Sequence, residues 1–111
     1  MESSNMKRIR GMLGFAMRAG KTVIGTDLIT KALARGSVRL VVISSGASDA
    51  TKERMTLKCK FYGVLALEVK IDTDELGRLL GKTYAPAAVA LTDDGFATEI
   101  KKAYAQVKDQ D

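Results

Sequence analysis

Four glycines do most to limit what this chain can become. Gly20, Gly36, Gly63 and Gly81 each close a segment whose apolar residues recur at helical spacing. Each is followed within a few residues by a run that reads as a strand. A glycine in the left-handed conformation is a common helix end, because it has no Cβ to make that conformation costly. The pattern predicts helices alternating with strands. The first helix is expected at about 6–19 on the stripe Ile9, Met12, Leu13 and Ala16, where Gly11 and Gly14 either weaken it or allow close packing. Strand one is expected at about 21–24, helix two at 26–35, strand two at 38–43, helix three at 49–62 and strand three at 64–69. Asp72 with Glu75 resembles a capping box and starts helix four, which carries Leu76, Leu79 and Leu80. Strand four, about 87–91, follows the only proline, and Asp93 caps helix five. The run Leu40-Val41-Val42-Ile43 has no polar alternation, so its strand should be central and covered on both faces. The expected fold is α/β: one α-β-α sandwich domain over 1–111, fraying at about 1–5 and 108–111.

Composition narrows the function. There is no histidine and one cysteine, Cys59, which leaves no Ser-His or Cys-His pair, no disulfide and no thiolate cage for zinc. Cys59 lies mid-helix among apolar neighbours and reads as core. Asp72, Asp74 and Glu75, like Asp93 and Asp94, sit where acidic residues complement a helix dipole, so no metal and no cofactor are expected. Gly20-Lys21-Thr22 looks like the end of a phosphate-binding P-loop, but it follows a helix and opens a strand, the reverse of that motif. A non-enzymatic protein is expected. The first residues lack the apolar core of a secretion signal and no run reaches the length of a membrane span, so a cytoplasmic protein without a membrane partner is expected. The net charge of +5, from 18 basic and 13 acidic side chains, favours an anionic partner.

The stretch from Gly20 to Gly36 shows where such a partner would bind. Gly25, Thr26 and Asp27 lead into a helix whose first amides lack acceptors, a setting suited to phosphates or base edges. Lys21 precedes it, and Lys31 shares a helix face with Asp27, either as an ion pair or as a polar pair for base edges. Loops after strands one, two and three can gather at one end of such a sheet. They include the segment around Ser44 to Asp49 and the pair Lys70-Ile71, where Ile71 either completes the core or packs against an unstacked base.

In the order and spacing of Gly14-Phe15-Ala16-Met17-Arg18-Ala19-Gly20-Lys21, Gly25 through Leu33, Arg35-Gly36, Arg39 through Ile43 and Leu76-Gly77 followed by Gly81, the chain resembles the ribosomal protein L7Ae family of kink-turn RNA binders, in its bacterial, YlxQ-like branch. The resemblance covers about 9–97. It implies a three-layer α-β-α sandwich with a four-stranded mixed sheet and binding of a sharply bent RNA. The family's RNA readers carry Gly-x-Asn-Glu-x-x-Lys at the start of helix two. Gly25 and Lys31 match, Asp27 stands at the Asn position and Leu28 at the Glu position. Lys70 and Ile71 match the loop that encloses a protruding nucleotide in the family. With Lys21 and Thr26 added from the residue reading above, the RNA contact is expected at Lys21, Gly25, Thr26, Asp27, Lys31, Lys70 and Ile71. It makes structured RNA, ribosomal RNA included, and RNA-associated proteins the expected partners of a monomer. The competing expectation is a protein-interaction module that has lost RNA recognition, with Leu28 and Ile71 exposed in one apolar patch.

Overall fold

A computed structural model describes residues 3–110, with side chains as far as Val107. Its elements are α1 (Ser4–Arg18), β1 (Thr22–Ile24), α2 (Thr26–Ala34), β2 (Leu40–Ser44), α3 (Asp49–Tyr62), β3 (Ala66–Val69), α4 (Thr73–Leu79), β4 (Ala88–Leu91) and α5 (Asp94–Gln110). The order is the one the glycines predict. Gly20, Gly36, Gly63 and Gly81 all have φ between 66° and 76°. At each, the amide after the glycine reaches back to the helix: Lys21 to Ala16, Ser37 to Ala32, Val64 to Cys59 and Lys82 to Gly77. This double closure satisfies the last carbonyls of each helix. It also explains why β1 and β3 begin later than expected, since Lys21 and Val64 are engaged in helix caps.

The other caps follow from side chains. Ser3 accepts the Met6 N–H, so α1 starts at Ser4, within the segment expected to fray. The fraying expected at 1–2 and 111 lies outside the described residues. Asp72 accepts the Glu75 N–H at 2.8 Å and Asp93 the Phe96 N–H at 3.1 Å. The capping box is only half made, because the Glu75 carboxylate turns to Arg10 Nε at 2.5 Å and ties α4 to α1.

The four strands form one mixed sheet in the order β1-β4-β2-β3. β4 is antiparallel to both β1 and β2, and β2 is parallel to β3. Strands β1, β2 and β3 therefore point the same way, and their following loops meet at one end, as the sequence predicts. β4 starts at that end, so the 80–87 loop joins them there.

Alternation along the central strands divides the core. Leu40 and Val42 of β2, with Val89 and Leu91 of β4, face α1, α4 and α5. Val41 and Ile43, with Ala88 and Ala90, face α2 and α3. All five residues of β2 are buried, as its unbroken apolar run requires. Gly14 of α1 is buried, but a Cβ there would meet Arg18 Nη1 at 3.4 Å and the Leu79 carbonyl at 3.9 Å, ordinary contacts, so the packing of α1 on α4 does not demand glycine here.

Candidate nucleic-acid interface

Helix α2 starts without a side-chain cap. Gly25 holds φ 99° and ψ 143°, a conformation that strains any residue with a Cβ. Its N–H donates to the Ala88 carbonyl at 3.2 Å, pinning the turn to β4, while its own carbonyl accepts the Ile29 N–H at 3.0 Å. The amides of Thr26, Asp27 and Leu28 are left without acceptors inside the helix, giving a partial positive charge at this end. The Arg54 guanidinium adds a full charge by donating to Thr26 Oγ1 at 3.2 Å.

Leu28, Lys31 and Arg35 follow one another at i, i+3 and i+7 on the outer face of α2, while Ile29, Ala32 and Leu33 are buried. With Thr22, Val23 and Ile24 of the edge strand, and with Met17, Lys82 and Tyr84, they line an open groove of about 490 Å³. Val23 lies opposite Ala90, between bonds that join Lys21 to Thr92 and Gly25 to Ala88. Thr22 and Ile24 consequently turn their backbone N–H and C=O away from β4, toward the free edge. Three cations line this groove and no carboxylate does. Leu28 and Tyr84 are both more than half exposed within it.

Tyr84 is placed by a glycine on another helix. A Cβ on Gly77 would lie 2.4 Å from the Tyr84 carbonyl oxygen, so the 80–87 loop rests directly on α4. The neighbouring loops are joined as well. The buried Ser44 hydroxyl donates to the Ile71 carbonyl at 2.6 Å and accepts the Gly46 N–H at 3.0 Å, and the Ser45 N–H donates to Val69. This end of the sheet is a tied set of turns, the setting in which a contact surface costs little to organise.

Of the residues singled out from sequence, Gly25, Thr26, Asp27 and Lys31 come together at the start of α2. Asp27 and Lys31 share a face but form no ion pair. Lys21 lies at the other end of β1, where its carbonyl accepts the Thr92 N–H. Lys70 is exposed at the correct end but follows β3, three strand spacings and about 14 Å from β1. Ile71 is fully buried against Leu76 and Leu80 in the α4 layer. It completes the core, so the base-packing role expected of it requires a surface position it does not have. Arg35, Arg54, Lys82 and Tyr84 were not anticipated. Cys59 is buried as expected, and burial pushes its thiol from 9.0 up to about 11. No group of acidic or cysteine side chains among the described residues is placed to hold a metal.

The sandwich, its tied loop end and its glycine-led helix define the class: an α-β-α domain of the ribosomal-protein type. The chain belongs to the ribosomal protein L7Ae/L30e/S12e/Gadd45 family, whose model matches residues 7–101. It is 39% identical over 89 residues to the RNA-binding protein YlxQ of Bacillus subtilis, across 80% of this chain and 87% of that protein. It is 31% identical over 98 residues to the large ribosomal subunit protein eL30 of Sulfolobus acidocaldarius, across 83% of this chain and 94% of that one. A solved structure of a Bacillus halodurans protein with unknown function superposes with a TM-score of 0.81 at 30% identity, covering 88% of this chain and 97% of the other. The family resemblance seen in the sequence is therefore correct. No helix among the described residues is long and apolar enough to cross a membrane.

Proposed function

We propose that this chain binds a sharply bent, kink-turn-like RNA without catalysing a reaction, with ribosomal RNA the first class to test. The observation that carries the reading is the groove between the β1 edge, α2 and the 80–87 loop, which has three cations, an exposed tyrosine and no lining acid. Phosphates account for the cations, and base or ribose surface for Tyr84 and Leu28. Gly25 lets the backbone approach closely, and the Thr26 to Leu28 amides face the ligand as fixed donors. The Asp27 carboxylate is an acceptor matched to the guanine amino group that a minor groove displays. The contact therefore comprises Gly25, Thr26, Asp27 and Lys31, extended by Arg35, Arg54, Lys82 and Tyr84. Lys70 joins it where the RNA runs across the loop end to β3. The relatives named YlxQ and eL30 support the same reading.

The protein-interaction alternative needed Leu28 and Ile71 exposed in one patch. Leu28 is 56% exposed but Ile71 is fully buried, so that patch does not form. A gel-shift comparison of a kink-turn with a straight duplex of equal length decides the proposal. Preference for the kink-turn, with affinity falling steeply in salt, is the expected result. Equal and weak binding to both removes it.

A further inference from the structure

Helix α3 gives little of its length to the core. Of its fourteen residues only Met55 and Cys59 are buried. Leu57 and Phe61, four residues apart, form a second apolar row on the outer side, 57% and 80% exposed. The row continues past the helix through Tyr62 to Leu65, and the Phe61 and Tyr62 rings meet edge to face with centroids 4.9 Å apart. Tyr62 lines two hollows. One, of about 360 Å³, lies between Leu57 and Phe61 and includes Arg54 and Lys58. The other, of about 430 Å³, holds Leu65 with Arg39 and Lys101. A soluble domain rarely leaves so many large apolar side chains side by side in water without a partner.

The charges around this row choose among occupants. Four cations and one carboxylate, Asp94, line the two hollows; Asp94 pairs with Arg39 at 3.3 Å, which leaves Arg54, Lys58 and Lys101 to face a partner. A second copy of the chain would bring a second set of the same cations into the interface, a like-charge excess that costs rather than gains. An RNA would answer the cations and could stack bases on Phe61 and Tyr62, but it would leave Leu57 and Leu65, at the two ends of the row, against sugar and phosphate. A helix with an apolar stripe flanked by carboxylates meets both demands, stripe to row and carboxylate to cation.

We infer that the outer face of α3, with Tyr62 and Leu65, docks an acidic amphipathic helix of a protein partner. The surface runs toward the end of the sheet opposite Gly25, where the 35–39, 62–65 and 92–94 connections lie. A partner seated there leaves the groove beside β1 open. Arg54 is shared with the RNA contact, but Leu57, Lys58, Phe61, Tyr62, Leu65 and Lys101 are not, so the inference and the RNA proposal can fail separately.

The probe is a synthetic helix of about eighteen residues with a leucine stripe flanked by glutamates, and a counterpart with lysine at every glutamate. Each is titrated into the isotope-labelled full chain and followed by NMR. The acidic peptide is expected to shift amides of α3 and of 63–65, and to bind about tenfold more tightly than the basic one. Phe61→Ser should weaken it about tenfold with an unchanged melting temperature, because the side chain is exposed. Lys58→Glu combined with Lys101→Glu should reverse the preference between the peptides. Equal affinity for both peptides, or shifts confined to other elements, overturns the inference. So does a dimer in light scattering that Phe61→Ser dissolves, which would make the occupant a second copy. Kink-turn RNA shifting the amides of 57–65, beyond the Arg54 turn it is expected to touch, would make the occupant RNA and overturn it too.

Discussion

The two faces of the sheet are built differently. On one, α1, α4 and α5 bury long stripes, including Ile9, Leu13, Leu76, Leu80 and Ile100, against the large side chains of β2 and β4. On the other, α2 and α3 sit over Ala88 and Ala90, and bury only Ile29, Ala32 and Leu33 from one helix and Met55 and Cys59 from the other. Small strand residues let these two helices lie close, so short stripes suffice and their outer sides remain free. The first face carries most of the apolar burial, and the second presents most of the surface available to partners. This division follows from alternation in two strands and needs no special element.

The largest test strikes the thick face. Leu13 is fully buried, and Leu13→Ala should cost about 3 kcal/mol in denaturant unfolding while leaving the RNA affinity of the folded protein unchanged. A loss of affinity as large as the loss of stability would break the division. The thin face has a pH signature of its own. Burial raises the Cys59 thiol from 9.0 to about 11, so folding favours the neutral thiol. The stability this contributes is complete below pH 9 and is lost as pH rises from 9 to 11, by at most about 2.7 kcal/mol. The stability difference between the parent and Cys59→Ala should shrink over that window, and a constant difference would refute the thiol's role.

Gly77→Ala crosses between the faces, because α4 belongs to the thick layer while the loop it supports lines the groove. The added methyl meets the Tyr84 carbonyl, so stability should fall by about 1.5 kcal/mol and RNA affinity should fall with it. Affinity unchanged in a destabilised Gly77→Ala would uncouple the loop from the groove. The smallest effect is expected from Lys31→Ala with Lys82→Ala. RNA affinity should drop by about 1 kcal/mol and the salt slope by about two, with stability within about 0.5 kcal/mol of the parent. An unaltered salt slope would place the phosphates elsewhere.

Much of this was legible in the chain. The four glycines, the Gly25-led start of α2, the Asp72 and Asp93 caps and the run from Leu40 to Ile43 are local signals, and local physics decides each of them. The groove was only half legible. Gly25, Thr26, Asp27 and Lys31 are close in sequence, but Lys82 and Tyr84 reach the groove only because β4 lies beside β1, and no spacing reports that. Ile71 was open because a loop residue followed by a helix cap can face either way. Its burial depends on Ser44 holding its carbonyl and on Leu76 and Leu80 closing over it. Lys21 illustrates the opposite error: near Gly25 in the chain, it is separated from it by the full length of β1.

The position of β4 sets a limit during synthesis. It is made after β1, β2 and β3, yet it occupies a central place and, among the described residues, is the only strand to which β1 is bonded. A nascent chain that ends before Ala88 has helices and two parallel strands, but its Gly25 N–H has no carbonyl to meet and Lys82 and Tyr84 have no edge to stand beside. The groove comes into being only once β4 has joined the sheet. The proposed RNA contact is thereby confined to chains that have reached β4, and fragments that end before it lack the surface with which they could compete.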